Sequence, residues 1–122
     1  MKPEFEASTF FRVSDLPAKQ VLDGVAMRSV DLDNLMMTFV EYAAGARVPT
    51  HFHPYEQITY VLEGQLEVVI GDVHEVLGPG EGVCISPNVE HSSRPINGPA
   101  KALDAWTPVP ERFKVRVEPP PR

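Results

Sequence analysis

The sequence predicts a single all-β domain, a sandwich or barrel of short strands. Three features carry that expectation. Thirteen prolines and eight glycines punctuate only 122 residues, as many short strands require and long helices do not tolerate. The runs between them are rich in Val, Ile, Thr, Tyr and Phe and alternate apolar with polar, the period of a half-buried strand. Turn signals recur at about 8–12-residue spacing, which leaves no clean window of normal helix length.

Residues 1–24 read as an N-terminal arm, with Phe10-Phe11-Arg12-Val13 as a candidate edge strand and Leu16-Pro17-Ala18-Lys19 as a turn. From Val25 the pattern is β, and residues 25–117 are assigned to the barrel. Leu35–Ala43 is apolar and rich in β-formers. Gln57–Leu62 and Gln65–Ile70 are strands, and Glu63-Gly64 between them reads as a hairpin turn. Gly71-Asp72 precedes Val73–Leu77, and Pro79-Gly80-Glu81-Gly82 precedes Val83–Ser86. Ala100–Trp106 and Phe113–Val117 are the last strands expected. Residues 118–122, Glu-Pro-Pro-Pro-Arg, read as an extended, flexible tail.

Bulk composition excludes several function classes. A hydrophobic share of 43% with 23% charged residues fits one globular core. No run approaches the ~18 apolar residues of a spanning helix. The net charge of −6, with no cluster of Lys or Arg, offers no positive patch for nucleic acid or an anionic membrane. A small-molecule partner is expected instead. Met1–Glu6 has no apolar stretch of the kind a secretory signal needs. Cys84, the single cysteine, cannot form an intramolecular disulfide. Both features fit a cytoplasmic protein.

The chemistry-bearing residues lie around the histidines. His51-Phe52-His53 places two imidazoles at i and i+2, on one face of a strand with Cα atoms roughly 6.5–7 Å apart. Two ring nitrogens can then converge on one ion at about 2.0–2.1 Å each. Gln57, after the Pro54-Tyr55 turn, can bring its amide oxygen to the same point, and His91 follows a second turn, Pro87–Glu90. His74, the fourth histidine, reads as a solvated turn residue. Cys84 reads as an inert buried thiol. Tyr55, Tyr60 and Val61 read as packing residues, and Met27, Met36, Met37 and Phe39 as core filling.

These spacings match a known pattern. Gly45-x5-His51-x-His53-x3-Gln57-x6-Gly64 resembles the first cupin motif, Gly-x5-His-x-His-x3-Glu-x6-Gly, at every interval. Gly80 through His91 resembles the second, with Ser86 and Asn88 standing where the family usually has Pro and Gly. Asn tolerates positive φ well enough to keep such a turn. The resemblance implies the cupin double-stranded β-helix, a jelly-roll barrel, holding one divalent metal ion (Ni, Zn, Fe or Mn) through His51, His53, Gln57 and His91. Gln57 replaces the family's metal-binding Glu. Three neutral imidazoles and a neutral amide leave the ion's charge uncompensated, which favours anionic ligands and Lewis-acid chemistry.

The strings HPYEQITYVLEG, PNVEH and LDAWTP resemble one subgroup more closely, the pectin-degradation cupins that linearise 4,5-unsaturated uronates, whose versions run HPHEQITYVLEG, PNVEH and LDVFTP. That likeness implies that Asp104 and Trp106 face the metal, with Asp104 as general acid/base. The subgroup's substrate-binding Arg, six residues after the Asp, is Pro110 here, and Arg112 is the candidate for its role. The leading expectation is a metal-dependent isomerase acting by enol–keto tautomerisation on a small anionic sugar derivative. A metal-dependent dioxygenase and a non-catalytic sugar-binding module stay open alternatives. A homodimer is also expected, because small cupins resemble one another in pairing through edge strands and apolar sheet faces.

Overall fold

The computed structural model describes residues 9–113. Eight strands follow in chain order: β1 (Lys19–Leu22), β2 (Val25–Asp31), β3 (Met36–Tyr42), β4 (Val48–His51), β5 (Glu56–Ile70), β6 (Val73–Leu77), β7 (Gly82–Ile85) and β8 (His91–Thr107). They pair antiparallel in the order β1-β2-β3-β8-β5-β6, with β4 added to β8 and β7 to β5. The all-β expectation holds. No helix among the described residues is long and apolar enough to cross a membrane.

Register stacks the inward-facing side chains in layers. Met27, Val40, Ala102 and Val61 pair across β2, β3, β8 and β5, and Val25, Tyr42 and Ala100 form the next layer. These are buried and, with Leu66 and Val68, make the main apolar core. In the other direction along the same strands the layers change character. Ser29, Thr38, Asp104 and Thr59 pair in one buried polar row, followed by Met36, Trp106, Gln57 and Ile85. Polarity is therefore concentrated toward one end of the barrel.

Several elements differ from expectation. Glu63-Gly64 is not a hairpin turn. β5 runs unbroken from Glu56 to Ile70 and bends there, while β8 stays its partner on both sides, from Val61↔Ala102 to Gln65↔Ile96. Gly64 sits at φ 76°, and a Cβ on it would lie 2.3 Å from the Pro99 carbonyl oxygen. The position thus demands glycine for space as well as for backbone conformation.

The edge strand of the arm is Lys19–Leu22, not Phe10–Val13. Val13–Asp15 forms a 3-10 turn whose carbonyls are claimed by Arg28: its guanidinium donates to Val13 O, Ser14 O and Leu16 O at 3.1, 3.3 and 2.8 Å. Phe11 packs its ring against Phe39 instead of offering a strand edge. At the other end, Phe113 closes a 3-10 turn over Glu111–Phe113, its N–H donating to Pro110 O at 3.0 Å. The remainder of the expected Phe113–Val117 strand, the 118–122 tail and the first eight residues lie outside the described residues.

Candidate metal centre

His51 and His91 are direct cross-strand partners in the β4–β8 pair, so their rings stand 4.3 Å apart, centroid to centroid. β4 ends at His51, yet the chain keeps its alternation: Phe52 is 63% exposed and His53 is 5% exposed. The His53 ring lies 5.5 Å from His51 and 4.9 Å from His91. Asn88 joins the two motifs, taking φ 65° and donating its N–H to the His53 carbonyl at 2.7 Å. Ring nitrogens of the three histidines lie within 4.8 Å of one another.

The hydrogen bonds choose which nitrogens face inward. His51 Nδ1 meets Pro49 O at 2.9 Å, His53 Nδ1 meets Tyr55 O at 3.2 Å and His91 Nδ1 meets Val89 O at 2.8 Å. A carbonyl only accepts, so each Nδ1 carries the proton and each Nε2 presents a lone pair. His91 Nε2 is buried without a partner. Burial and the neighbouring His51 and His53 imidazoles hold His91 below the ordinary histidine range, although its bond to Val89 pulls the other way. A neutral imidazole with a free inward lone pair is the ligand form.

Gln57 completes the set. Its Oε1 lies 2.9 Å from His53 Nε2. With the proton on Nδ1, both atoms at that contact are acceptors, an arrangement that repels unless a cation stands between them or His53 is protonated. The orphaned His91 Nε2 and this paired-acceptor contact are what a divalent ion would satisfy, so the residues present fit a metal held by His51, His53, Gln57 and His91.

Asp104 lies one layer beneath, 4% exposed. Thr59 Oγ1 donates to its Oδ1 at 2.6 Å, and Gln57 Nε2 donates to Thr59 Oγ1 at 2.9 Å. Burial pushes the Asp104 carboxyl up to about 6, against the opposing pull of hydrogen bonds from Thr59, Gln57 and Thr38. The indole Nε1 of Trp106 donates to Thr38 Oγ1 at 2.9 Å, and its ring stands edge-on to His53 at 5.3 Å.

The structure thus brings together His51, His53, Gln57, His91, Asp104 and Trp106. It leaves Arg112 outside: that side chain is exposed, with its guanidinium over the Phe113 ring at 4.7 Å, and Phe113 in turn packs on Trp106. Pro110 is fully buried. Tyr55 packs against both His53 and Trp106, so its packing is at the site itself. Thr38 and Thr59 escaped the sequence reading. The signal for them is Met36-Thr38-Val40 and Gln57-Thr59-Val61, a threonine on each inward stripe.

Cys84 is exposed, not buried, because it faces outward from β7 opposite Ile58. Tyr60 is exposed on the same outer face. His74 is exposed as expected, though it lies within β6 and not in a turn.

Comparison with known proteins follows the same lines. Pectin degradation protein KdgF of Dickeya dadantii is 29% identical over 101 residues, covering 81% of this chain and 92% of that protein. Dimethylsulfoniopropionate lyase DddQ of Ruegeria pomeroyi is 35% identical over 75 residues, 61% of this chain but 37% of that longer protein. The solved structure of KdgF from Halomonas sp. matches with a TM-score of 0.82 at 23% identity, over 87% of this chain and 100% of that one, a likeness of fold. A profile of the cupin domain matches residues 38–106, more than half of the sequence; the chain belongs to the cupin family.

Proposed function

We propose that this cupin is a metal-dependent enzyme that opens and tautomerises a 4,5-unsaturated uronate or a closely similar anionic sugar derivative. One observation carries the reading: a fully buried carboxyl, Asp104, raised to about 6, hydrogen-bonded through Thr59 to the candidate metal ligand Gln57. The likeness to a pectin degradation protein over most of both chains supports the substrate class.

A bound divalent ion would supply Lewis acidity toward a substrate oxygen. The chain's residues do the rest. Asp104 near neutrality can accept the hydroxyl proton whose loss opens the hemiacetal ring, then return a proton to carbon as the enol becomes a ketone. Thr59 and Thr38 hold the carboxylate in one orientation. Trp106, fixed by its bond to Thr38, walls the site beside His53. Arg112, outside the cluster but stacked on the Phe113 ring that packs on Trp106, is the candidate partner for the substrate carboxylate.

The test is loss of ultraviolet absorbance from a 4,5-unsaturated uronate. Wild type reconstituted separately with Ni, Zn, Fe or Mn should be active with at least one of them and inactive after chelation. Asp104→Asn should bind metal but turn over roughly 10²–10⁴-fold more slowly. No acceleration by any metal-loaded form would exclude the uronate assignment.

A further inference from the structure

Gln57 differs from the three histidines in one respect. An imidazole with Nδ1 occupied can present only Nε2, whereas an amide has two ends of opposite character. Oxygen inward makes Gln57 a ligand, while NH2 inward would aim two hydrogens at a cation. Rotation about the last side-chain bond exchanges them, and their shapes are nearly the same. Something outside the ligand set has to choose.

The buried row beneath makes the choice. Thr59 is two residues from Gln57 on β5, so both side chains point inward. Register then sets Thr59 opposite Asp104. The Thr59 hydroxyl has one proton, and at 2.6 Å from the Asp104 carboxylate it donates that proton there. Its oxygen is left only as an acceptor, so the atom of Gln57 at 2.9 Å must be the nitrogen. The oxygen consequently faces His53 Nε2. The Asp104 carboxylate, which also takes a hydrogen bond from Gln57, can only accept and so favours the same end of the amide.

We propose that Thr59, anchored by Asp104, is the positioning residue that makes Gln57 an oxygen ligand of the metal. The proposal rests on the metal-centre reading and not on the uronate reaction. It also accounts for the buried polar row: a protein with an amide in place of a carboxylate at this position needs an orienting group that a symmetric carboxylate would not.

The experiment measures zinc affinity by competition with a chromogenic chelator. Thr59→Val, nearly isosteric, should weaken zinc by roughly 10–100-fold, the size of a lost outer-shell partner. Thr59→Ser, which restores the hydroxyl, should return to within about threefold of wild type. The distinguishing arm is a Gln57→Glu background, where both terminal atoms are oxygen. There Thr59→Val should change zinc affinity by no more than about threefold, giving a strong coupling between the two positions. Thermal unfolding of the zinc-free variants checks that each is folded. Equal losses in the two backgrounds would show that Thr59 acts through packing and would overturn the proposal, as would no loss in either. Wild type that binds no zinc, nickel, iron or manganese would instead overturn the metal centre itself, and inactivity on uronate would leave the proposal standing.

Discussion

Asp104 holds its carboxyl almost out of contact with solvent, 4% exposed, and that has a measurable sign. Its carboxyl rises from 3.8 to about 6, chiefly through burial. Between those values the folded chain holds a proton that the unfolded chain has lost, so this group's contribution is fully present below about pH 4 and disappears as pH rises through about 6. The difference corresponds to about 3 kcal/mol. His91 works in the opposite direction: its lowered affinity for protons removes stability as pH falls below 6.5. The amide of an Asp104→Asn variant does not titrate, and His91 is common to both proteins and cancels. In metal-stripped protein, the stability of Asp104→Asn relative to wild type should therefore rise by up to about 3 kcal/mol from pH 4 to pH 7. Urea melts at several pH values measure it, and a pH-independent difference would contradict the buried-charge reading.

At the scale of one element, the bend in β5 decides where the site ends up. Residues before the bend carry Gln57 and Thr59, residues after it carry core Leu66 and Val68, and β8 follows both halves. Gly64 permits this by its positive φ and by leaving room for the Pro99 carbonyl. Gly71 has a similar φ of 57° but open space around it. Gly71→Ala should cost about 1–2 kcal/mol, the left-handed penalty alone. Gly64→Ala adds a backbone clash and should exceed it by at least about 1 kcal/mol. Equal denaturation midpoints for the two variants would mean that the bend relaxes freely.

Across the whole molecule, the two faces of the sheet tell different stories. The inner face grades from apolar core to polar site. The outer face carries Ile58, Tyr60 and Leu62 exposed on β5, with Cys84 exposed on β7 and half-buried Phe39 and Leu103 in the neighbouring rows. Contiguous exposed apolar side chains of this kind mark association surfaces. Lys101, between Glu41 and Glu63 at the border, presents both signs of charge, so an identical face is not repelled. A homodimer through this face is the expected state, with light scattering at micromolar concentration giving twice the 13.5 kDa of the chain. Tyr60→Glu should shift it to monomer. A wild-type monomer would contradict the prediction.

The sequence by itself determined the fold class and the candidate ligands. Strand alternation and Gly/Pro punctuation are local properties, and the intervals between His51, His53, Gln57 and His91 survive in the chain because each motif is one strand and its adjoining turn. Asp104 and Trp106 came from the subgroup resemblance, and their alternation on one strand agrees with it. Tertiary structure alone decided the rest. Thr38 and Thr59 look like ordinary β-formers until register sets both against Asp104. Glu63-Gly64 reads as a turn in any sequence, and only the continuous partnership with β8 makes it a bend. Cys84 sits in a four-residue strand, too short for alternation to say which face is inside. Proton placement came last of all. The tautomers of the three imidazoles and the end of Gln57 that faces them depend on carbonyls and hydroxyls that only folding brings within reach.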